Sequence, residues 1–354
     1  MKKTIIFALC LGFLTSAFSQ GELWGVSESG GLDGVGCIFK TDVDGSNASL
    51  VYSFESKAPG KRPEELNLYE YNGLLYGVTS GGGLTGDGVL FSYDPNTQIY
   101  TALTSFIDSI VGTDPDYSVV VTSDDKVYGT TDFRGPLEFY GVLYSFDLNT
   151  QAFEVLVAFD STTVNGSEKA LTLGSDGHLY GTAGDGGANG DGLIFKYDLG
   201  TNAYSVLYDF SDDILADGDT PDDALLEVSP GLFYGTTDRG GLNSDGVLFS
   251  FDVNTGTYTK LFDFDDNISG EFPQGTLLLG SNQKIYGSTR EGGTFNDGAI
   301  FEYDPATSIF TLLHSFTNSS DGENPYGLRE AGNGVLYGLA KNGGAEGDGT
   351  LFEY

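Results

Sequence analysis

The chain has 354 residues, with 16 Lys and Arg against 51 Asp and Glu, a formal charge of −35. A surface of that sign repels phosphate backbones and anionic lipid heads, which excludes nucleic acid as a partner and leaves cations, neutral glycans and proteins. The 39% hydrophobic and 13% aromatic content can build a core, which excludes the disorder that acidity alone would suggest.

In chain order, the first element is a processing signal. Lys2 and Lys3 open the chain, and Ile5 to Leu14 is an apolar run shorter than the ~20 residues that span a bilayer. Ala17-Phe18-Ser19 sets small residues at the two positions a signal peptidase reads. The expectation is a signal peptide over residues 1–19, cleavage after Ser19, and a secreted or surface-held chain over 20–354. Losing Lys2 and Lys3 takes the charge from −35 to −37. No later stretch is apolar for long enough to cross a membrane. Cys10 leaves with the signal, so Cys37, in the apolar run Gly36-Cys37-Ile38-Phe39, is the one mature thiol and reads as a small core residue.

A Leu-Tyr-Gly-like tripeptide then recurs along the whole chain. Its glycines are Gly25, Gly77, Gly129, Gly181, Gly235, Gly287 and Gly338, spaced 52, 52, 52, 54, 52 and 51 residues apart. The clearest copy predicts four strands: a over Gly275–Gly280, b over Lys284–Thr289, c over Gly298–Tyr303 and d over Phe310–Phe316. Asp304-Pro305 supplies turn chemistry between c and d, and no segment has sustained helical periodicity. Four antiparallel strands every ~50 residues match a propeller blade. The fold expected is all-β, a seven-repeat β-propeller. The first copy starts at strand b and the last stops at strand c, giving 26 strands and two incomplete terminal blades.

Large rings recur at fixed phase: Tyr76 and Tyr234 in strand b, Phe91 and Phe249 in strand c, Phe106 and Phe264 at the end of strand d. They read as packing between neighbouring blades. The glycine after the b-strand aromatic reads as a place where a neighbouring backbone comes close.

The segment Leu75-Tyr76-Gly77-Val78-Thr79-Ser80-Gly81-Gly82-Gly83, followed by Gly86-Asp87-Gly88-Val89-Leu90-Phe91, resembles the bacterial GloVer tandem repeat, and the likeness covers the whole mature chain. The resemblance implies a secreted or surface-displayed protein, often with a C-terminal anchor or sorting domain, and no established activity or catalytic residues. The repeats here run to Tyr354.

The loop between strands b and c reads Gly-Gly-x-x-x-Asp-Gly in five copies, with Asp87, Asp191, Asp245, Asp297 and Asp348. It reads either as a turn with glycines at positive φ and Asp on nearby amides, or as a ligand-facing carboxylate. The d–a loops are long and acidic. The densest runs from Asp212 to Asp223, and Asp217, Asp219, Asp222 and Asp223 are the candidate calcium ligands, since Ca²⁺ takes six to eight oxygens. Gly174-Ser175-Asp176-Gly177-His178 reads as an a–b hairpin turn. His178 and His314 are the only histidines and lie in different repeats, against a His-metal site or a Ser-His-Asp triad.

In a meander, a–b and c–d links share one face of the disc, and b–c and d–a links share the other. Binding residues concentrate on loops over a rigid scaffold, so a ligand is expected on the b–c/d–a face. The function expected is a monomeric, non-catalytic binding or scaffold propeller for a glycan or protein. The alternative is an extracellular hydrolase or lyase with carboxylates and a metal over the central channel. An active site needs one copy to depart from the repeat. Copy three departs most, at Phe133-Arg134-Gly135-Pro136-Leu137-Glu138-Phe139-Tyr140.

Overall fold

The computed structural model describes residues 22–42, 46–55, 60–63, 68–115, 119–137, 140–160, 171–211, 217–221, 223–317, 321–331, 334–344 and 349–354. The signal-peptide expectation for residues 1–19 lies outside them. The chain is a seven-bladed β-propeller of antiparallel sheets. Five sheets have four strands; the first, with Glu22–Ser27, Cys37–Asp42 and Ser49–Ser53, and the last, with Glu323–Glu330, Leu336–Asn342 and Thr350–Glu353, have three. The described strands number 26, the count expected from the repeat. The d–a loop between blades two and three holds a single helical turn, Asp108–Val111, and among the described residues no helix is long and apolar enough to cross a membrane.

Blade six shows how each repeat forms its sheet. Strands b, c and d run over Ile285–Glu291, Ala299–Asp304 and Ile309–Ser315, within two residues of the predicted bounds. Strand a runs over Glu271–Leu279, four residues earlier than predicted. The extension arises because Glu271 and Pro273 pair with Glu291 and Thr289 before a register shift between Gln274 and Leu278. Strand a is innermost: Leu68, Val119, Leu171, Leu225, Thr276 and Arg329, on or beside strand a of six successive blades, line one central channel.

The predicted aromatics are the core. At six seams the terminal Phe of strand d packs on the c-strand ring of the next blade. The centroid distances are 5.6 Å for Phe54–Phe91, 5.3 Å for Phe106–Tyr144 and 6.4 Å for Phe159–Phe195. They are 5.7 Å for Phe210–Phe249, 5.2 Å for Phe264–Phe301 and 4.9 Å for Phe316–Phe352. Such tilted pairs add about 0.5–1.5 kcal/mol each beyond the area they bury. The ring closes without strand exchange between the described terminal blades: Leu23 and Phe39 of blade one pack on Ala331, Tyr337 and Leu339 of blade seven. Cys37 is buried, and burial pushes its thiol up to about 12.

The b-strand glycines meet a ring first. At Gly338 a neighbouring backbone comes close as well, as expected, with the Gly327 carbonyl 2.8 Å from where a Cβ would stand. A Cβ on Gly77 would stand 2.8 Å from Cζ of Phe91, and one on Gly235 would stand 2.5 Å from Cζ of Phe249. Each glycine pairs directly with that c-strand aromatic, as in Gly77↔Phe91 and Gly235↔Phe249, so the ring folds back over its own cross-strand partner.

Candidate functional site

Hydrogen bonds sort the loops into two faces. On one, the amide of Leu148 in a c–d turn donates to the carbonyl of Asp125 in an a–b turn (2.9 Å), and Val253 does the same to Gly231 (2.9 Å). On the other, b–c loops bond d–a loops. Phe106 N–H donates to Gly88 C=O (3.0 Å), and the amide of Asp108 donates to Asp87 Oδ2 (3.3 Å).

The repeated Asp therefore has a definite local task. Asp245 Oδ2 accepts the amide of Asp266 at 2.9 Å, as Asp87 accepts that of Asp108; both donors lie two residues beyond the terminal Phe of strand d. The backbone carbonyls join in across the seam: Asp191 accepts from Thr220 (3.2 Å), Asp245 from Phe272 (3.1 Å) and Asp297 from Asn324 (3.0 Å). The following glycine takes positive φ, 95° at Gly246, and a Cβ there would stand 2.7 Å from Cδ of Pro273 in the next blade. Asp87, Asp191, Asp245 and Asp297 are all half-buried on this face; Asp348 lies outside the described residues. Burial raises the Asp245 carboxyl above the ordinary carboxylate range.

The structure places the candidate calcium ligands apart in role. Asp217 is buried, and its carboxylate accepts the Tyr208 hydroxyl (2.6 Å), the Ser211 hydroxyl (2.9 Å) and the Ser211 amide (3.2 Å). The Tyr258 hydroxyl donates to its carbonyl. Asp219 accepts the Thr220 hydroxyl (2.9 Å) and pairs through its backbone with Arg239. Asp223 accepts the Thr182 hydroxyl on its carbonyl (2.9 Å), and Asp222 lies outside the described residues. Among the described residues no three of His, Cys, Asp and Glu gather as a metal set.

Asp217 sits where blade seven has Asp321 and blade six has Ser269, each just before a Gly-x-x-Pro step. Asp321 accepts the Thr317 hydroxyl (2.6 Å) and contacts His314 Nε2 (2.7 Å), while Ser269 accepts the Asp265 amide (2.8 Å). The in-phase steps Gly60–Pro63, Gly112–Pro115, Gly218–Pro221, Gly270–Pro273 and Gly322–Pro325 were the sequence signal for this anchor. Gly174 to His178 is the hairpin turn expected, closed by Gly174 N–H to His178 C=O (2.8 Å).

Among the loops, copy three departs from the repeat. Between blades two and three a cleft of about 830 Å³ opens on the b–c/d–a face. The b–c loop of blade two brings Ser80 and Asp87, the intervening d–a loop brings Asp108, Thr113 and Asp114, and the divergent third copy brings Phe133, Arg134 and Pro136. Phe133 is half exposed, although Thr113 N–H fixes its backbone through the Phe133 carbonyl (2.8 Å). Arg134 is held by an ion pair with Asp108, which sits on the helical turn Asp108–Val111. Glu138 and Phe139 of the same copy lie outside the described residues. The departure of copy three was legible in the sequence; the acids that the d–a loop brings opposite it were not.

The chain matches the model of the Gloeobacter/Verrucomicrobia repeat over residues 12–174 and 138–352. No curated protein matches it in sequence. Among solved structures it is similar to the extracellular domain of a candidate one-component system from B. thetaiotaomicron, at 13% identity and TM-score 0.64. The likeness covers 98% of this chain and 38% of that one, so this chain spans well under half of that protein's length. It is also similar to a candidate 6-phosphogluconolactonase from Bacteroides fragilis, at 15% identity and TM-score 0.62, over 96% of this chain and 95% of that one. A puromycin-hydrolysing peptidase from Mycobacterium tuberculosis gives 13% identity and TM-score 0.63, over 98% of this chain and 51% of that one. At these identities the likeness is one of fold.

Proposed function

The chain belongs to the Gloeobacter/Verrucomicrobia repeat family, and on that premise we propose that it is an extracellular, non-catalytic binding propeller whose ligand is a neutral carbohydrate. The ligand lies in the cleft between blades two and three. The observation that carries this reading is the coincidence of the widest departure from the repeat with a cleft of about 830 Å³. Its floor combines one exposed ring, Phe133, with carboxylates and hydroxyls at Asp87, Asp114, Ser80 and Thr113. An apolar platform with a few fixed polar groups suits a sugar, which offers a C–H face and a rim of hydroxyls. A net charge of −35 turns away anionic ligands and leaves uncharged ones.

The extracellular placement of the B. thetaiotaomicron domain with the same fold supports export, as does the signal-peptide pattern of residues 1–19. N-terminal sequencing of the exported protein should begin at Gln20. A hydrolytic reading would rest on fold likeness to the lactonase and the peptidase at 13–15% identity. The test of the binding reading is calorimetry against a panel of neutral oligosaccharides. Wild type should bind at least one member, and Phe133→Ala should weaken that binding tenfold or more with the melting temperature unchanged. A panel that gives no binding at millimolar concentration would sink the reading.

A further inference from the structure

We propose that the b–c loop tips form a second, protein-docking surface, an apolar crown set among carboxylates whose partner is a cationic polypeptide carrying apolar side chains. The crown consists of Leu32, Leu84 and Leu242, each directly after Gly-Gly in its copy, with Phe295 one residue further along in blade six. They are 87%, 86%, 68% and 58% exposed. Burying such a side chain is worth about 2 kcal/mol, so three leucines left in water at one repeat phase have no part in the fold's own stability.

The tips are held rigidly. The amide of Leu32 donates to Ser53 Oγ (2.7 Å), that of Leu84 to Ser105 Oγ (3.2 Å) and that of Leu242 to Asp263 Oδ1 (2.8 Å), each acceptor at the end of strand d. The next residue reaches back as well. Thr85 Oγ1 donates to the Phe106 carbonyl (3.0 Å) and Asn243 Nδ2 to the Phe264 carbonyl (2.7 Å). A tip anchored twice presents its side chain outward without an ordering cost at binding, which is how preformed docking surfaces gain affinity. On the opposite face, the exposed aliphatics nearest the turns among the described residues are Ile99 and Ile309, each the first residue of a d strand rather than a loop tip.

Charge selects the occupant. Asp33, Asp87, Asp245 and Asp297 lie in the same loops as the apolar tips, on a chain of net charge −35. A second copy would bring the same sign against itself, and an anionic membrane would be repelled. A polypeptide with Lys or Arg between apolar residues satisfies both features at once.

The probe is a synthetic amphipathic peptide of alternating Leu and Lys, compared with a Ser/Lys peptide of equal charge. Wild type should bind the Leu/Lys peptide at least tenfold more tightly at physiological salt, and both should weaken as salt rises. The triple variant Leu32→Ser, Leu84→Ser, Leu242→Ser should lose that preference while keeping its melting temperature. The control Ile99→Ser with Ile309→Ser should keep the preference. Equal affinity of wild type for the two peptides, or an undiminished preference in the triple variant, would overturn the crown. Vesicle binding or self-association of wild type that the triple variant lacks would overturn the cationic polypeptide as its occupant.

Discussion

Cζ of Phe249 stands 2.5 Å from the point a Cβ on Gly235 would occupy, and the two residues are cross-strand partners in blade five. The ring lies over strand b, where it also meets Phe210 of the preceding blade, so it is clamped from both sides. Neither neighbour can yield a side chain's width in a close-packed seam. Gly235→Ala should therefore destabilise the fold by about 1–3 kcal/mol in urea unfolding, the usual cost of overpacking. Adding Phe249→Leu should recover part of it. Gly200→Ala, at an exposed turn where the nearest atom is Asp198 Oδ1 at 3.3 Å, should fall within about 0.5 kcal/mol of wild type. Equal losses at both positions would contradict the clamp.

Asp217 separates a structural reading of the acidic loop from a calcium reading. Its buried carboxylate already takes bonds from Tyr208 and Ser211. Asp217→Ala should cost about 1–3 kcal/mol by leaving those donors unpaired, and the loss should be the same with and without calcium. Tyr208→Phe should be non-additive with it, since both remove the Tyr208–Asp217 bond. A calcium-dependent rise in melting temperature that Asp217→Ala abolishes would support the metal reading instead.

The fold was legible because repetition multiplies a weak signal. One Tyr-Gly step says little, but seven in phase fix the blade, and strands b and c of blade six fall within two residues of their reading. The site was less legible because its partners are distant in the chain. Arg134 pairs with Asp108, 26 residues earlier, and the Asp108 amide donates to Asp87, 21 residues earlier again, and nothing in these segments announces it. Asp217 read as a candidate metal ligand from loop composition alone; its hydrogen-bond partners Tyr208 and Ser211 meet it only where strand d ends. The crown was invisible for the opposite reason: a leucine in a glycine loop is ordinary until three at one repeat phase prove to be exposed.

Acid titration should show two opposed trends. Burial raises Asp245 and Glu271 above the ordinary carboxylate range, and for Glu271 the nearby Asp245 adds to it. A carboxyl raised in the fold disfavours folding when ionised, so stability should climb as pH falls from neutral toward the unfolded values of about 3.9 and 4.3. The c–d turns act the other way. The Thr97 hydroxyl lowers Asp94, the Thr150 amide lowers Asp147, the Asn254 amide lowers Asp252 and the Thr307 hydroxyl lowers Asp304. Their contribution is complete above about pH 3.9 and is lost as pH falls through their lower folded values. The melting temperature should peak on the acid side of neutral and fall below about pH 4. Asp245→Asn should flatten the rise and leave the acid limb; a monotonic fall from pH 7 would contradict the assignment.

The seam between blades seven and one should be where the ring opens first. Every other seam carries the pair of terminal d-strand Phe on c-strand ring, as in Phe264–Phe301 at 5.2 Å. At the closing seam the described residues hold a smaller cluster, in which Phe39 meets Tyr337, Leu339 and Ala331 without a d-strand Phe. Losing one such pair forgoes about 0.5–1.5 kcal/mol beyond area burial. Local openings draw on the least stable part of a structure, and amide exchange reads their free energies directly. Peptides covering Glu22–Ser27 and Leu336–Asn342 should therefore exchange at lower opening free energy than the peptide covering Leu232–Thr237. Tyr337→Ala should speed exchange in both terminal blades together, because its ring packs on each, while blade five keeps its protection. Uniform protection around the ring, or a Tyr337→Ala effect confined to blade seven, would show that the seam is closed by something other than this cluster.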